Sequence, residues 1–177
     1  MNQESGSAEP LQGERGSIFL IKEREMSEQM PVTIGYITER DFEAWLPLWK
    51  GYQTFYEVDL SEAVTQTTWQ RFLDASQDPY CIVARIGDEI VGFAHFLFHK
   101  STWAESEYCY LEDLYVLPEV RGQQVGKQLI EHLAEIAKAR GCARVYWHTQ
   151  ESNHRAQRLY DWIASKPGMM KYQIVLS

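Results

Sequence analysis

The chain has 177 residues, 45% of them hydrophobic and 24% charged, a profile that fits one folded domain. Its 17 basic and 25 acidic residues leave a net charge of −8, which argues against binding through nucleic-acid phosphates and mildly favours a cationic partner. No apolar run approaches the roughly 18 residues of a membrane span, and Cys81, Cys109 and Cys142 form an odd set without Cys-x-x-Cys spacing. Free thiols in a reducing, cytoplasmic compartment are the expectation, and the five histidines show no metal-ligand spacing.

Residues 1–31 are rich in Ser, Gly, Glu and Gln and read as a flexible tail, with the folded domain spanning 32–177. Val32 to Ile37 is a predicted strand. Asp41 is a plausible cap for a helix that carries Phe42, Trp45, Leu46, Trp49 and Tyr52 at three- and four-residue steps. A second helix follows Ser61 and uses Val64, Thr68, Trp69, Phe72 and Leu73. Tyr80–Ile86 and Ile90–His99 form a predicted hairpin about Gly87-Asp88.

Tyr108 to Leu117 reads as a longer strand that Pro118 ends, because proline cannot donate to the ladder. A helix from Gln124 to Arg140 repeats its apolar face at Val125, Leu129, Leu133, Ile136 and Ala137, and Gly141 stops it. Ala143–Thr149 is a strand, Asn153–Ala164 a short helix burying Ala156, Leu159 and Ile163, and Met170–Leu176 a closing strand. The order gives a mixed α/β fold. The Tyr108 and Ala143 strands should be parallel neighbours joined by a right-handed crossover.

The stretch from Leu111 to Ile130 is a hydrophobic strand, a glycine-containing turn and a helix start. That order presents free backbone N–H groups and a positive helix end, which suits an anionic ligand. Arg121 and Lys127 add positive charge. A P-loop is excluded, since Gly126-Lys127 is followed by Gln128, and two glycines do not make a dinucleotide fingerprint. The acidic run Glu105–Asp113, with four carboxylates and no basic residue, sits before this turn and suits an amine.

Arg121-Gly122-Gln123-Gln124-Val125-Gly126 resembles the Arg/Gln-x-x-Gly-x-Gly/Ala signature of the Gcn5-related N-acetyltransferases. Tyr110 to Val116 is similar to that family's fourth strand, and Asn153 to Tyr160 to its second cofactor motif. Asp41-Phe42 and Trp45 through Tyr56 fit its first helix, so the resemblance covers nearly the whole domain. It implies a single-domain acyl-CoA N-acyltransferase-like fold: a mixed, mostly antiparallel sheet with a central parallel pair, flanked by helices. One departure is Gln124, which stands where relatives carry the middle glycine. A helix start needs no positive φ, so a weaker or re-aimed phosphate site is expected rather than a lost one.

The resemblance implies acetyl-CoA as acetyl donor, with no metal. Main chain at Leu114 and Val116 would pair with the pantetheine arm. Amides from Arg121 through Gly122, Gln123, Gln124, Val125 and Gly126 would hold the pyrophosphate, with Lys127 beside them. Asn153 would bind pantetheine or cap its helix. An alkyl amine is almost fully protonated at neutral pH, and Glu112 is the candidate to take its proton, corresponding to an acidic residue of polyamine-type relatives. Asp113 would face the other side of a regular strand. Tyr160 would give a proton to the leaving thiolate.

Tyr56, Trp103 and Tyr110 are candidates to line the acceptor site. The expected function is acetyl transfer, by direct attack, to a primary amine of a small molecule such as a polyamine or amino acid. Alternatives are a protein-lysine acetyltransferase and a non-catalytic acyl-CoA-binding module. A homodimer is expected, with the final strand adding to or packing across a partner's sheet.

Overall fold

The computed structural model describes residues 31–176. The tail expected over residues 1–31 lies, apart from Pro31, outside the described residues. The elements are β1 (Val32–Tyr36), α1 (Phe42–Phe55), α2 (Glu62–Phe72), β2 (Tyr80–Ile86), β3 (Glu89–His99), β4 (Tyr108–Val116), α3 (Val125–Ala139), β5 (Arg144–Trp147) and α4 (His154–Ile163). One sheet holds all five strands in chain order. Its first four strands pair antiparallel, and β4 pairs with β5 in parallel through the α3 crossover. A mixed, mostly antiparallel sheet flanked by helices is the fold that the sequence implied.

The alternation of side chains along the strands divides the core into two faces. On one face, α3 packs Val125, Leu129, Ile130, Leu133 and Ala137 against Ile82, Ala94, Phe96 and Leu111. The other face is aromatic: Trp45, Trp49, Trp69 and Phe72 of α1 and α2 cover Val83 and Phe93. The Trp45 ring lies 5.3 Å from Trp69 and 5.7 Å from Phe72. Rings of this size bury enough apolar area to pin both helices to the sheet.

Four local expectations are corrected. Asp41 takes the N-cap position of α1 as expected, but its carboxylate makes no cap bond there; it accepts instead from the Thr38 amide and hydroxyl and from Arg85. Val64 in α2 and Leu73 at its end are exposed, while Thr65 takes a buried place because its hydroxyl accepts from the Trp49 indole. Ala156, Leu159 and Ile163 of α4 are only partly buried. The closing strand over Met170–Leu176 does not form. This segment has no ladder partner among the described residues, and Ile174 is 88% exposed. Strand propensity without a paired edge leaves the backbone to water.

Candidate active site

The site begins where β4 changes its pairing. From Tyr108 to Leu111 it pairs with β3 on one side and β5 on the other, and the parallel register ends at Leu111↔Trp147. Beyond that point β3 alone, among the described residues, remains as a strand neighbour. Leu117 donates its N–H to the Val91 carbonyl at 2.9 Å. Amides alternate in direction along an antiparallel ladder. With Val116 opposite Gly92 and Leu114 opposite Ala94, the Val116 and Leu114 amides therefore face the side that β5 has left. The two residues singled out from the sequence thus carry open, strand-like donors.

This edge runs into the turn before α3. Gly122 has φ +91° and Gln124 has φ +59°. The second value corrects the expectation that this position needs no positive φ. The left-handed conformation explains why a glycine suits it, and a side chain there carries strain. Gln124 is the N-cap of α3 but makes no side-chain cap bond, and the first turn holds no acidic residue. The amides of Val125, Gly126 and Lys127 have no intrahelical acceptor, as at any helix start. A Cβ on Gly126 would meet Leu159 of α4 at 3.4 Å, so glycine also lets the two helices close up.

Arg121 is exposed at the turn. Gln123 completes it with an N–H to the Val120 carbonyl, and its own carbonyl accepts from the Gln128 side chain. Lys127 Nζ is drawn away to Glu131, at 2.7 Å, and lies 5.2 Å from the Trp162 ring centre. Its backbone amide, rather than its ammonium group, is what it offers the turn.

The acidic pair does not follow the alternation of a regular strand. His95 is opposite Asp113 while Phe96 is opposite Leu111, so Glu112 is the extra residue of a β-bulge. The bulge turns both Leu111 and Leu114 to the α3 face, and Asp113 to the α1 face. Glu112 remains exposed. Crowding of its carboxyl by the surrounding protein, then the charge of Asp113, push its pKa up, while Lys171 acts in the opposite direction.

Asp113 is bound on both oxygens. Tyr52 donates its hydroxyl to Oδ1 at 2.6 Å, and His95 Nδ1 lies 2.9 Å from Oδ2. On the other side of the ring, the Trp45 indole N–H reaches His95 Nε2 at 3.2 Å. An indole only donates, so Nε2 must be the bare nitrogen and Nδ1 carries the proton that Asp113 accepts. Burial lowers the His95 pKa against the opposing pull of Asp113, in keeping with a neutral ring. Burial, then Asp113, raises that of Tyr52. No local pattern links His95 and Tyr52 to Asp113; the spatial register brings them together.

On the other flank of the released edge, Tyr160 lies against Trp147 with ring centres 5.3 Å apart. Burial, with Tyr56 nearby, pushes its pKa up to about 12, so the phenol keeps its proton at neutral pH. Asn153 caps α4 by accepting the Ala156 N–H at 3.2 Å. Tyr56 and Asn153 approach one another and together line a cleft of about 550 Å³ with Phe55, Gln150 and His154. None of the turn residues lines that cleft.

The acceptor candidates separate in space. Tyr110 stays beside Glu112 and packs on Tyr146, with centres 5.0 Å apart. Trp103 is 80% exposed in the loop preceding β4, at the opposite end of that strand from the turn. The structure does not bring it to the site.

Comparison with known proteins places this geometry in a family. The Acetyltransferase (GNAT) family profile matches residues 42–162. Over 145 residues the chain is 39% identical to the D-amino-acid N-acetyltransferase HPA3 of Saccharomyces cerevisiae, covering 80% of this chain and 89% of that protein. It is 38% identical over 89 residues to thialysine N-epsilon-acetyltransferase of Bos taurus, covering 46% of this chain and 52% of that one. Among solved structures, ribosomal-protein-alanine N-acetyltransferase from Brucella melitensis shares the fold with a TM-score of 0.67 at 24% identity, over 82% of this chain and all (100%) of that one. The chain therefore belongs to the GNAT family of acetyltransferases.

Proposed function

We propose that this acetyltransferase acetylates the primary amine of a small molecule, an amino acid or a polyamine, using acetyl-CoA. The observation that carries the reading is the release of β4 from β5 at Leu111, which leaves two open amides running into an uncapped helix start. That edge fits a thin, extended, hydrogen-bonding arm ending in phosphates. Leu114 and Val116 would hold the arm, and the amides from Gly122 to Lys127, with Arg121, would hold the pyrophosphate. The relatives act on amino-acid and thialysine amines by name, which supports the acceptor class.

When bound, acetyl-CoA supplies an activated acetyl group on sulfur; the acetyl C–S bond breaks and a C–N bond forms. The protein's part is to move two protons. Glu112, exposed on its bulge, accepts the proton that the amine must lose, directly or through one water. Its raised pKa makes it a better base than an ordinary carboxylate. Tyr160 supplies a proton to the sulfur as the bond breaks. Tyr110 and Tyr56 offer aromatic faces to the acceptor.

The exposed apolar residues Met169, Met170, Tyr172 and Ile174 support a homodimer in which a second copy covers this segment. Light scattering should give twice the chain mass; monomer alone at micromolar concentration would remove the dimer. Three free thiols support a cytoplasmic location.

The decisive experiment follows thiol release from acetyl-CoA across amino acids of both hands, polyamines and basic peptides. Turnover with the small amines, exceeding that with peptides, is the expected result. Preference for peptides would move the substrate class to protein lysines. Coenzyme binding without turnover on any amine would leave only a coenzyme-binding module.

A further inference from the structure

We infer that His95 is a positioning residue for acetyl transfer: by donating to Asp113 it holds β4 against the α1 face and keeps Glu112 out on the bulge. The inference rests on the reading of Glu112 as proton acceptor, and its tests are chosen to fail separately from that reading.

Three observations meet here. The extra residue of the bulge is Glu112, and the first residue after it, Asp113, sits opposite His95. A strand left to alternate would send Asp113 to the aliphatic face, among Phe96 and Leu111, where its charge would have no partner. Instead both of its oxygens are bonded on the α1 face, by Tyr52 and by His95. That anchoring is what the one-residue slip accomplishes.

His95 is suited to the anchoring because it cannot turn or change its proton. It is 2% exposed, stacked at 4.2 Å on Phe93 and 4.5 Å from Phe72. The Trp45 indole occupies its second nitrogen, which fixes the donor toward Asp113. Removing the Nδ1–H therefore leaves a partly buried carboxylate oxygen without its donor, and the ring has no second tautomer to offer. The chain Trp45–His95–Asp113–Tyr52 ties the hydrophobic centre of the α1 face to the residue beside the proposed base.

Two substitutions separate this role from mere packing. His95→Asn places an amide N–H where Nδ1 stands, keeping the donor to Asp113 and losing the acceptor for Trp45. His95→Gln fills the volume better and places its amide where Nε2 stands, keeping the bond to Trp45 and losing that to Asp113. Stability should favour Gln over Asn. Turnover should follow the reverse order: Asn within about threefold of the parent kcat, Gln lower by about tenfold or more. If kcat follows stability, or if the two variants turn over equally, the inference is overturned.

Asp113→Asn gives a second test that does not depend on how either His95 variant folds. Its single carbonyl oxygen replaces the two charged acceptors that Tyr52 and His95 share, so one of those two bonds is lost or reversed and kcat should fall. It also removes a negative charge next to Glu112, whose other charged or phenolic neighbours are Lys171, Tyr110 and Tyr52. The acid limb of kcat/KM should then move to lower pH; an unmoved limb with unchanged kcat overturns the inference. Glu112→Gln is assayed alongside. If it keeps parent turnover while the His95 and Asp113 effects stand, the reading of Glu112 fails and the anchoring of β4 survives.

Discussion

The two halves of β4 have the same neighbours in sequence and opposite tasks. Tyr108–Leu111 is paired on both edges, so its backbone is satisfied, and Cys109 and Leu111 sit in the aliphatic core. Glu112–Val116 has lost β5, carries a bulge, and shows its amides to an open side. The first half is a structural strand. The second has the features that a ligand would complete. The difference teaches that the site is made by withholding a strand from the sheet, and that the paired half provides the rigidity this requires.

Breaking the paired half should give the largest effect. Leu111 is 2% exposed and packs in the aliphatic core. Leu111→Ala should lose about 2–5 kcal/mol of stability, read as a lower denaturant midpoint. A loss under about 1 kcal/mol would show that this half is not the firm base assumed for the other.

Changes in and beside the released half should instead leave the fold and remove chemistry. Tyr160→Phe keeps the ring against Trp147 and deletes the phenolic proton. Turnover should fall about 10²-fold, equivalent to about 2.7 kcal/mol, with coenzyme affinity kept. Unchanged turnover, measured where chemistry limits the rate, would reduce Tyr160 to a packing residue.

Glu112→Gln should lower neutral-pH turnover by about tenfold or more. Its pH dependence sharpens the contrast. Because the folded-state pKa of Glu112 is raised above the ordinary 4.5, activity should rise with pH through that raised value, where the carboxylate forms. Stability has the opposite sign. A raised carboxyl pKa favours the folded state most fully below the unfolded value, and that contribution is lost as pH climbs through the folded one. Glu112→Gln should abolish both dependences. A parent-like acid limb in the variant would assign the limb to another group.

Much of this contrast could be read before any coordinates. The turn after Pro118, the α3 stripe and the parallel neighbour of β4 follow from local periodicity and crossover rules, and all are found. The partnership of Asp113 with His95 and Tyr52 was not readable. It depends on a one-residue slip in register, and strict alternation in the sequence points Asp113 the wrong way. Trp103 illustrates the converse case: it lies in the loop before β4, at the other end of that strand from the turn. The tail after Gly168 has strand-like residues, but pairing is a property of two edges, and no sequence segment carries its partner's edge with it.

The smallest effect tests the joint between the released half and its helix. Gln124 holds φ +59°, a region in which any side chain with a Cβ is disfavoured by about 1 kcal/mol. Its side chain makes no cap bond and the residue is exposed, so nothing visible offsets that strain. Gln124→Gly should therefore raise stability by about 0.5–1 kcal/mol, less than the full relief because glycine also loosens the unfolded chain. Coenzyme affinity, measured by calorimetry, should change by less than about threefold, since the amides at the helix start stay where they are. A lower unfolding midpoint would mean that the Gln124 side chain stabilises the turn. A large gain in affinity would mean that the side chain leans over the amides, and that the phosphate site is partly covered in the parent chain.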